Sequence, residues 1–331
     1  MMKFRTLAAT LAAATIISGA AIAEDLVLPS EVAATHWKTE YMDRFAKEVN
    51  AATNGEIDVK VFPAGQLYSD QAALGALGTG AVQMVWPVSV RLETIAPETG
   101  VINLPFAISD EMMQNACMKE GITNLLSKDM KSSGLRVLGL LRTADLYFIF
   151  SDREVASMGD LEGAKVRVTG GRVVQDTMNA LGISPVSMAA SEMSTALSQG
   201  AIDGVFTSPA GWAEMIGMTG KNAFYVPGFS ILTYAIVVDD YWYQNLPAEQ
   251  QNAISTAISD ISTTQWTEAM EKDQEALEKM TSQGANLVVA DDAEAAKWRE
   301  LTASTSASFS DAYPQAVADL DALEAECGIS G

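Results

Sequence analysis

Histidine occurs once in this 331-residue chain, at His36, and cysteine twice, at Cys117 and Cys327. A lone histidine leaves no H-E-x-x-H spacing for a zinc-dependent hydrolase, and two cysteines are too few for a structural zinc site. The chain has no G-x-S-x-G elbow, no P-loop and no complete G-x-G-x-x-G; Thr169-Gly170-Gly171 signals only a turn. Positive charge is also scarce, with 21 Lys and Arg against 42 Asp and Glu and a formal net charge of −21. Such a surface repels nucleic acid and anionic membrane, so neither is expected as a partner. Beyond the N-terminus no apolar run is long enough to span a bilayer. Repeats and disordered linkers are missing too, and no cofactor or metal is expected. Carboxylates are plentiful enough for a glycosidase-like pair by count, yet no pattern brings two together.

The first residues read as a cleaved signal peptide, 1–23. Lys3 and Arg5 form a basic start, Leu7–Ile17 an apolar run, and Ala21-Ile22-Ala23 a cleavage site. No cysteine at that site is available to carry a lipid anchor. The expectation is a soluble protein exported to the periplasm and beginning at Glu24. At 48% hydrophobic and 19% charged residues, the chain has enough apolar material for a sizeable core in two lobes.

The stretch Leu161–Phe206 is the most regular. Ala164–Thr169 alternates as a strand, with Val166 and Val168 on one face and Lys165 and Arg167 on the other. Arg172–Leu181 has helical apolar spacing and is closed by Gly182. Ile183–Met188 predicts a strand, Ser191–Gln199 a short helix stopped by Gly200, and Ala201–Phe206 a third strand. This is a βαβαβ unit and hence a parallel sheet. Arg167 sits near the C-terminal end of its strand, where open α/β sheets present ligand crevices, and its guanidinium fork matches a carboxylate.

Elsewhere, strands are expected at Leu26–Leu28, Ile57–Phe62, Val82–Trp86 and Leu135–Leu141. Helices are expected at Glu40–Ala52, Asp70–Leu77, Asp110–Lys131 and Trp212–Met218. Tyr225–Val238 holds strand-like runs. Pro247–Gln283 predicts one very long helix, or two helices broken near Ser262–Thr264. Asp292–Ser308 and Asp311–Glu326 close the chain as helices.

The runs FAKEVNAATNGEIDVKVFPAGQL, ALGTGAVQM, NLPFAISDEM, LEGAKVRV and ALSQGAIDG, in this order, resemble the substrate-binding proteins of tripartite ATP-independent periplasmic (TRAP) transporters. The resemblance spans nearly the whole mature chain. It implies an α/β, two-lobed periplasmic binding protein fold with a ligand cleft between the lobes and a long helix spanning both. Lobe I is expected as 24–146 plus about 231–265, and lobe II as 147–230 plus about 266–331. It further implies a monomer that captures a small organic anion (a carboxylate, sulfonate or sugar acid) by hinge closure and delivers it to TRAP membrane subunits. A periplasmic enzyme such as a hydrolase, working in the same cleft, is the alternative.

In the family the arginine of the KVRV strand is the carboxylate clamp, which implies that role for Arg167. Asp203-Gly204 is followed by Val205-Phe206-Thr207-Ser208-Pro209, where many members carry an acidic residue and an asparagine, and Tyr68 stands where a glycine often follows Gln-Leu. Both departures point to a ligand other than the usual ones. After Arg167 the candidate cleft residues are His36 and Trp37 on the first loop, and Phe206 as a wall. Thr207 offers a hydrogen-bonding hydroxyl at the asparagine position, and Arg142 and Tyr147 stand near the lobe crossing. Gln66, Trp86 and Arg91 lie at or after first-lobe strand ends. His36 reads equally as a capping residue, and Trp212 equally as core. An exported protein meets an oxidising compartment, so Cys117 and Cys327 are either one disulfide or two separate thiols.

Overall fold

The computed structural model describes residues 24–329; the signal-peptide reading of 1–23 lies outside the described residues. Strand β1 (Glu24–Pro29) runs parallel to β2 (Ile57–Phe62), joined by the helix Trp37–Ala52. That helix starts three residues before the expected Glu40 because His36 caps it, the imidazole Nδ1 accepting the Lys38 N–H at 3.1 Å. Tyr41, Met42, Phe45 and Val49 form its buried stripe. Strand β3 (Met84–Val85) is shorter than the sequence suggests. With β4 (Leu135–Asp145) it flanks a central β10 (Ile231–Asp239) in an antiparallel three-stranded sheet. These two sheets make the first lobe.

The second lobe is one six-stranded sheet in the order β11-β9-β5-β8-β6-β7. Its strands are β5 (Tyr147–Phe150), β6 (Lys165–Val168), β7 (Ser184–Ser187), β8 (Gly204–Thr207), β9 (Asn222–Tyr225) and β11 (Asn286–Val289). The expected βαβαβ unit is there: β6 lies between β7 and β8 and is parallel to both. Besides the later passage to β11, the chain crosses between lobes after β4 and before β10. The crossings are stitched together by the Leu146 N–H donating to the Ser230 carbonyl at 3.1 Å.

Of the two readings of Pro247–Gln283, the continuous helix is correct, spanning Ala248–Ser282 for 35 residues. Ile254, Ile258 and Ile261 are buried at its first-lobe end, where a Cβ on Gly139 of β4 would meet Ile258 at 2.7 Å. At the other end Met280 joins a second-lobe cluster with Ile149 and Trp212. The polar run that suggested a break is used for docking instead. The Gln265 amide accepts from the Arg142 N–H and donates to its carbonyl, both at 2.8 Å, sealing the helix to β4.

Asp110–Lys131 splits into helices Asp110–Gln114 and Ala116–Met130 because Asn115 leaves the helical conformation and caps the second, its side chain accepting from Cys117 N–H and Met118 N–H. A disulfide joins Cys117 to Cys327 across a Cα separation of 5.6 Å. It holds the last helix, Pro314–Glu326, against Ala116–Met130, with Leu323 packed on Gly121. The chain end thus packs on the first lobe, whereas the preceding helix Asp292–Ala312 packs on the second-lobe helix Arg172–Ala180. Among the described residues no helix is long and apolar enough to cross a membrane.

Candidate functional site

Strands β1, β6 and β8 all point their C-terminal ends at the seam between the lobes, the place where parallel sheets leave room for ligands. A cavity of about 40 Å³ lies there. The loop after β1 contributes Glu31 and His36, the next helix start Asp70, β4 Thr143 and β10 Tyr234. The ends of β6 and β8 supply Arg167, Thr169, Thr207 and Ser208.

Arg167 is buried, only 2% exposed. Its Nε and Nη2 donate to the Met188 carbonyl at 3.1 and 2.9 Å, and among the described residues no carboxylate forms an ion pair with it. Burial pulls its pKa down to about 10, so the folded site disfavours this charge unless a negative group joins it.

Two carboxylates share the cavity. Glu31 and Asp70 are interlocked, each backbone N–H donating to the other's carboxylate at 3.0 and 3.1 Å. Arg91 reaches Glu31 at 3.5 Å, and the fully buried Lys38 reaches Asp70 at 3.1 Å while lying 4.4 Å from the Tyr234 ring centroid. Burial alone raises Glu31, but Arg91, Lys38 and the N–H groups of Ala190 and Asp70 hold it below the usual carboxylate range. Burial pushes Asp70 up to about 6 against the pull of Lys38. The Ala190 N–H donates to Glu31 at 3.2 Å from the other lobe. Burial, assisted by the Lys38 charge, lowers His36 to about 3, so the ring is neutral. Because Nδ1 accepts from the backbone, Nε2 carries the proton and is a donor.

A second bridge across the seam uses Glu93. Its carboxylate accepts from the N–H groups of Arg172 and Val173 at 2.5 and 3.0 Å, capping a second-lobe helix whose own cap, Gly171, has no side chain.

The structure thus brings Arg167, His36 and Thr207 together, and holds Arg91 one layer behind as partner to Glu31. The other expected residues are elsewhere. Arg142, expected near the ligand, is fully engaged by Asp110, Asp145 and Asp273 at 2.7, 2.8 and 2.5 Å under the long helix. Phe206 is buried against Phe148 and Phe229, with centroids 4.5 and 6.0 Å away, rather than walling the cavity. Tyr147 stacks on Tyr225 at 4.5 Å. Trp37 packs edgewise on Tyr41 and Tyr234, and Trp86 is wholly buried with its indole N–H on the Met84 sulfur. Gln66 sits on an exposed turn, and Trp212 is core. Glu31, Asp70 and Lys38 were not anticipated. The available signal was an acidic residue two positions after β1 and another directly after the helix-capping Ser69.

The family described as bacterial extracellular solute-binding protein, family 7, matches residues 29–311. A relative from Rhodobacter capsulatus, named C4-dicarboxylate-binding periplasmic protein DctP, is 30% identical over 86% of this chain and 87% of its own. Among solved structures, the sugar acid binding protein DctPAm from Advenella mimigardefordensis in complex with galactonate superposes with a TM-score of 0.84. It is 20% identical and covers 91% of this chain and 98% of that one. A TRAP periplasmic solute binding protein from Shewanella oneidensis with bound succinate gives 0.83 at 24% identity, covering 91% and 99%. At these identities the structures establish the two-lobed fold, and the family match agrees with the TRAP resemblance. This chain belongs to family 7 of the bacterial extracellular solute-binding proteins.

Proposed function

We propose that this protein captures a small organic anion between its lobes in the periplasm, as a monomer, and hands it unchanged to the membrane subunits of a TRAP transporter. One observation carries the reading: Arg167 lines an interlobe cavity at 2% exposure, and no carboxylate among the described residues pairs with it. A buried guanidinium in that state gains most from a ligand oxyanion, and a bidentate carboxylate fits its fork. His36 Nε2–H and the Thr207 hydroxyl are the secondary contacts. The lobes are 24–146 with about 231–265 and 147–230 with about 266–331, the last helix packing back on the first, and Leu146 and Ser230 mark the hinge. Proteins of the same fold hold galactonate and succinate, which supports an organic acid as ligand. Membership in a solute-binding family supports binding and release over turnover.

Thermal-shift screening against organic acids, neutral sugars and amines is the test. A ligand at 100 times its Kd stabilises by about 2.7 kcal/mol, an easily resolved shift. Acids are expected to raise the melting temperature and to be recovered chemically intact. Shifts from neutral sugars or amines alone would end the anion reading.

A further inference from the structure

Two of the charges facing the cavity are negative, and their surroundings limit what the ligand can be. Glu31 and Asp70 are 3% and 1% exposed. Each has one cation, Arg91 for Glu31 and Lys38 for Asp70, and neither cation lines the cavity. Both cations stand behind their carboxylates, so the cavity itself meets the two carboxylates, with Arg167 as the one cationic side chain of its lining. Acceptor capacity also remains. Glu31 Oε2 receives only the Asp70 N–H, and Asp70 Oδ1 and Oδ2 receive one donor each.

We infer that Glu31, backed by Asp70, is the specificity-determining residue of this site: it selects a ligand with one anionic group for Arg167 and a hydrogen-bond donor, hydroxyl or ammonium, at its far end. This rests on the Arg167 clamp. A dicarboxylate satisfies the clamp with one end and sets its other carboxylate against carboxylates in a dry, low-dielectric space, where like charges repel strongly. A hydroxyl or ammonium in the same place makes a charge-assisted hydrogen bond instead. Both lobes take part, since Glu31, held in its own lobe by the Asp70 N–H and Arg91, also accepts the Ala190 N–H from the opposite lobe. The relative named for C4-dicarboxylates thus differs from this chain in ligand, although the fold is shared.

The experiment is calorimetric titration of the full mature chain with four-carbon probes of matched length: succinate, 4-hydroxybutyrate and 4-aminobutyrate. The expected result is at least tenfold tighter binding of one of the two donor-bearing monoacids than of succinate. Glu31→Gln keeps the shape, removes the charge, and narrows that ratio at least tenfold; Asp70→Asn narrows it too, a second check should Glu31→Gln unfold. Wild-type succinate binding as tight as both monoacids overturns the inference, as does an unchanged ratio in a folded Glu31→Gln. Binding of every probe that survives Arg167→Ala overturns the clamp itself, and this inference with it.

Discussion

Removing the Arg167 side chain is expected to separate binding from folding. The guanidinium is 2% exposed, makes its hydrogen bonds to a single carbonyl, and has a lowered pKa because burial works against its charge. The desolvation of its charge therefore works against folding, and Arg167→Met, which keeps most of the buried volume, leaves the melting temperature of the ligand-free protein unchanged or higher. With an anion bound, the same truncation leaves a desolvated negative group without its partner. Losses of this kind run about 2–5 kcal/mol, or roughly 30- to 4000-fold in Kd. Arg167→Lys keeps the charge but not the planar fork, so it falls between wild type and Ala. Calorimetric titration with an acid identified by screening, alongside thermal melts without ligand, reads both halves. Near-equal affinity of wild type and Arg167→Ala refutes the clamp. A large drop in ligand-free stability of Arg167→Met refutes the claim that the residue is held against the fold's interest.

Other perturbations have equally definite expectations. Reducing the Cys117–Cys327 bridge, whose partners are 210 residues apart, lowers unfolding free energy by about 2–4 kcal/mol in urea titrations; two alkyl groups added without reductant would show that no bridge exists. His36 has a folded pKa of about 3 against an ordinary value of 6.5, so between those pH values the unfolded chain binds a proton that the fold refuses, and stability falls as pH drops. His36→Asn keeps a capping acceptor and removes roughly 2 kcal/mol of the loss between pH 7 and 5, read by denaturant titration at both values; equal losses in the two proteins count against the neutral, buried ring. Gly100→Ala places a Cβ 2.8 Å from Val173 of the other lobe, so it impedes closure and weakens ligand binding while far-UV circular dichroism is unchanged; unaltered affinity would show that the seam does not need this approach. Glu93→Ala removes a cap given by one lobe to the other and raises the ligand off-rate about 5- to 30-fold, by the usual 1–2 kcal/mol of a lost cap, in stopped-flow release; an unaltered off-rate argues that the cap forms equally in the open state.

How far the sequence reveals the site depends on whether a residue's fate is decided locally. The unit from β6 to β8 was legible because alternation, helical spacing and glycine stops agree with one another over a short range, and its parallel pairing follows from chain direction alone. The extent of the long helix was legible too, from the absence of Pro and Gly, although the sequence leaves open a break near Ser262–Thr264 that the structure closes. The family resemblance ranks Arg167 above Arg142, while strand position alone separates them poorly because both sit near the end of a strand. What separates them is distant in sequence: Asp110 and Asp273 pair with Arg142, whereas no acid among the described residues forms an ion pair with Arg167. Asp145, three residues after Arg142, was the one local hint of that fate. Lys38, Glu31 and Asp70 were missed for a related reason. A charged residue in an isolated sequence is assumed to be solvated, and only reciprocal bonds between residues 31 and 70 reveal the exception.

The acidity of the whole chain, at first sight at odds with an anionic ligand, is resolved by where the cations lie. Lys38, Arg91 and Arg167 are all buried at the seam, and the −21 net charge lies largely on the exterior. At physiological salt the exterior field is damped within about 8 Å, so it weakens steering without reaching far into a closed site. Inside, two cations are committed to Glu31 and Asp70 and a third is held in reserve. Closing the lobes without an anion desolvates that third charge against a lone carbonyl. Closing them around an anion pairs it. The ligand's differential affinity for the closed state is thus set mainly by Arg167, and the Glu31 and Glu93 contacts across the seam add to closure whether or not a ligand is present. Placing the anion-dependent term in one residue and the anion-independent terms in two others makes closure responsive to the ligand while keeping it reversible, as a protein that must release its cargo requires.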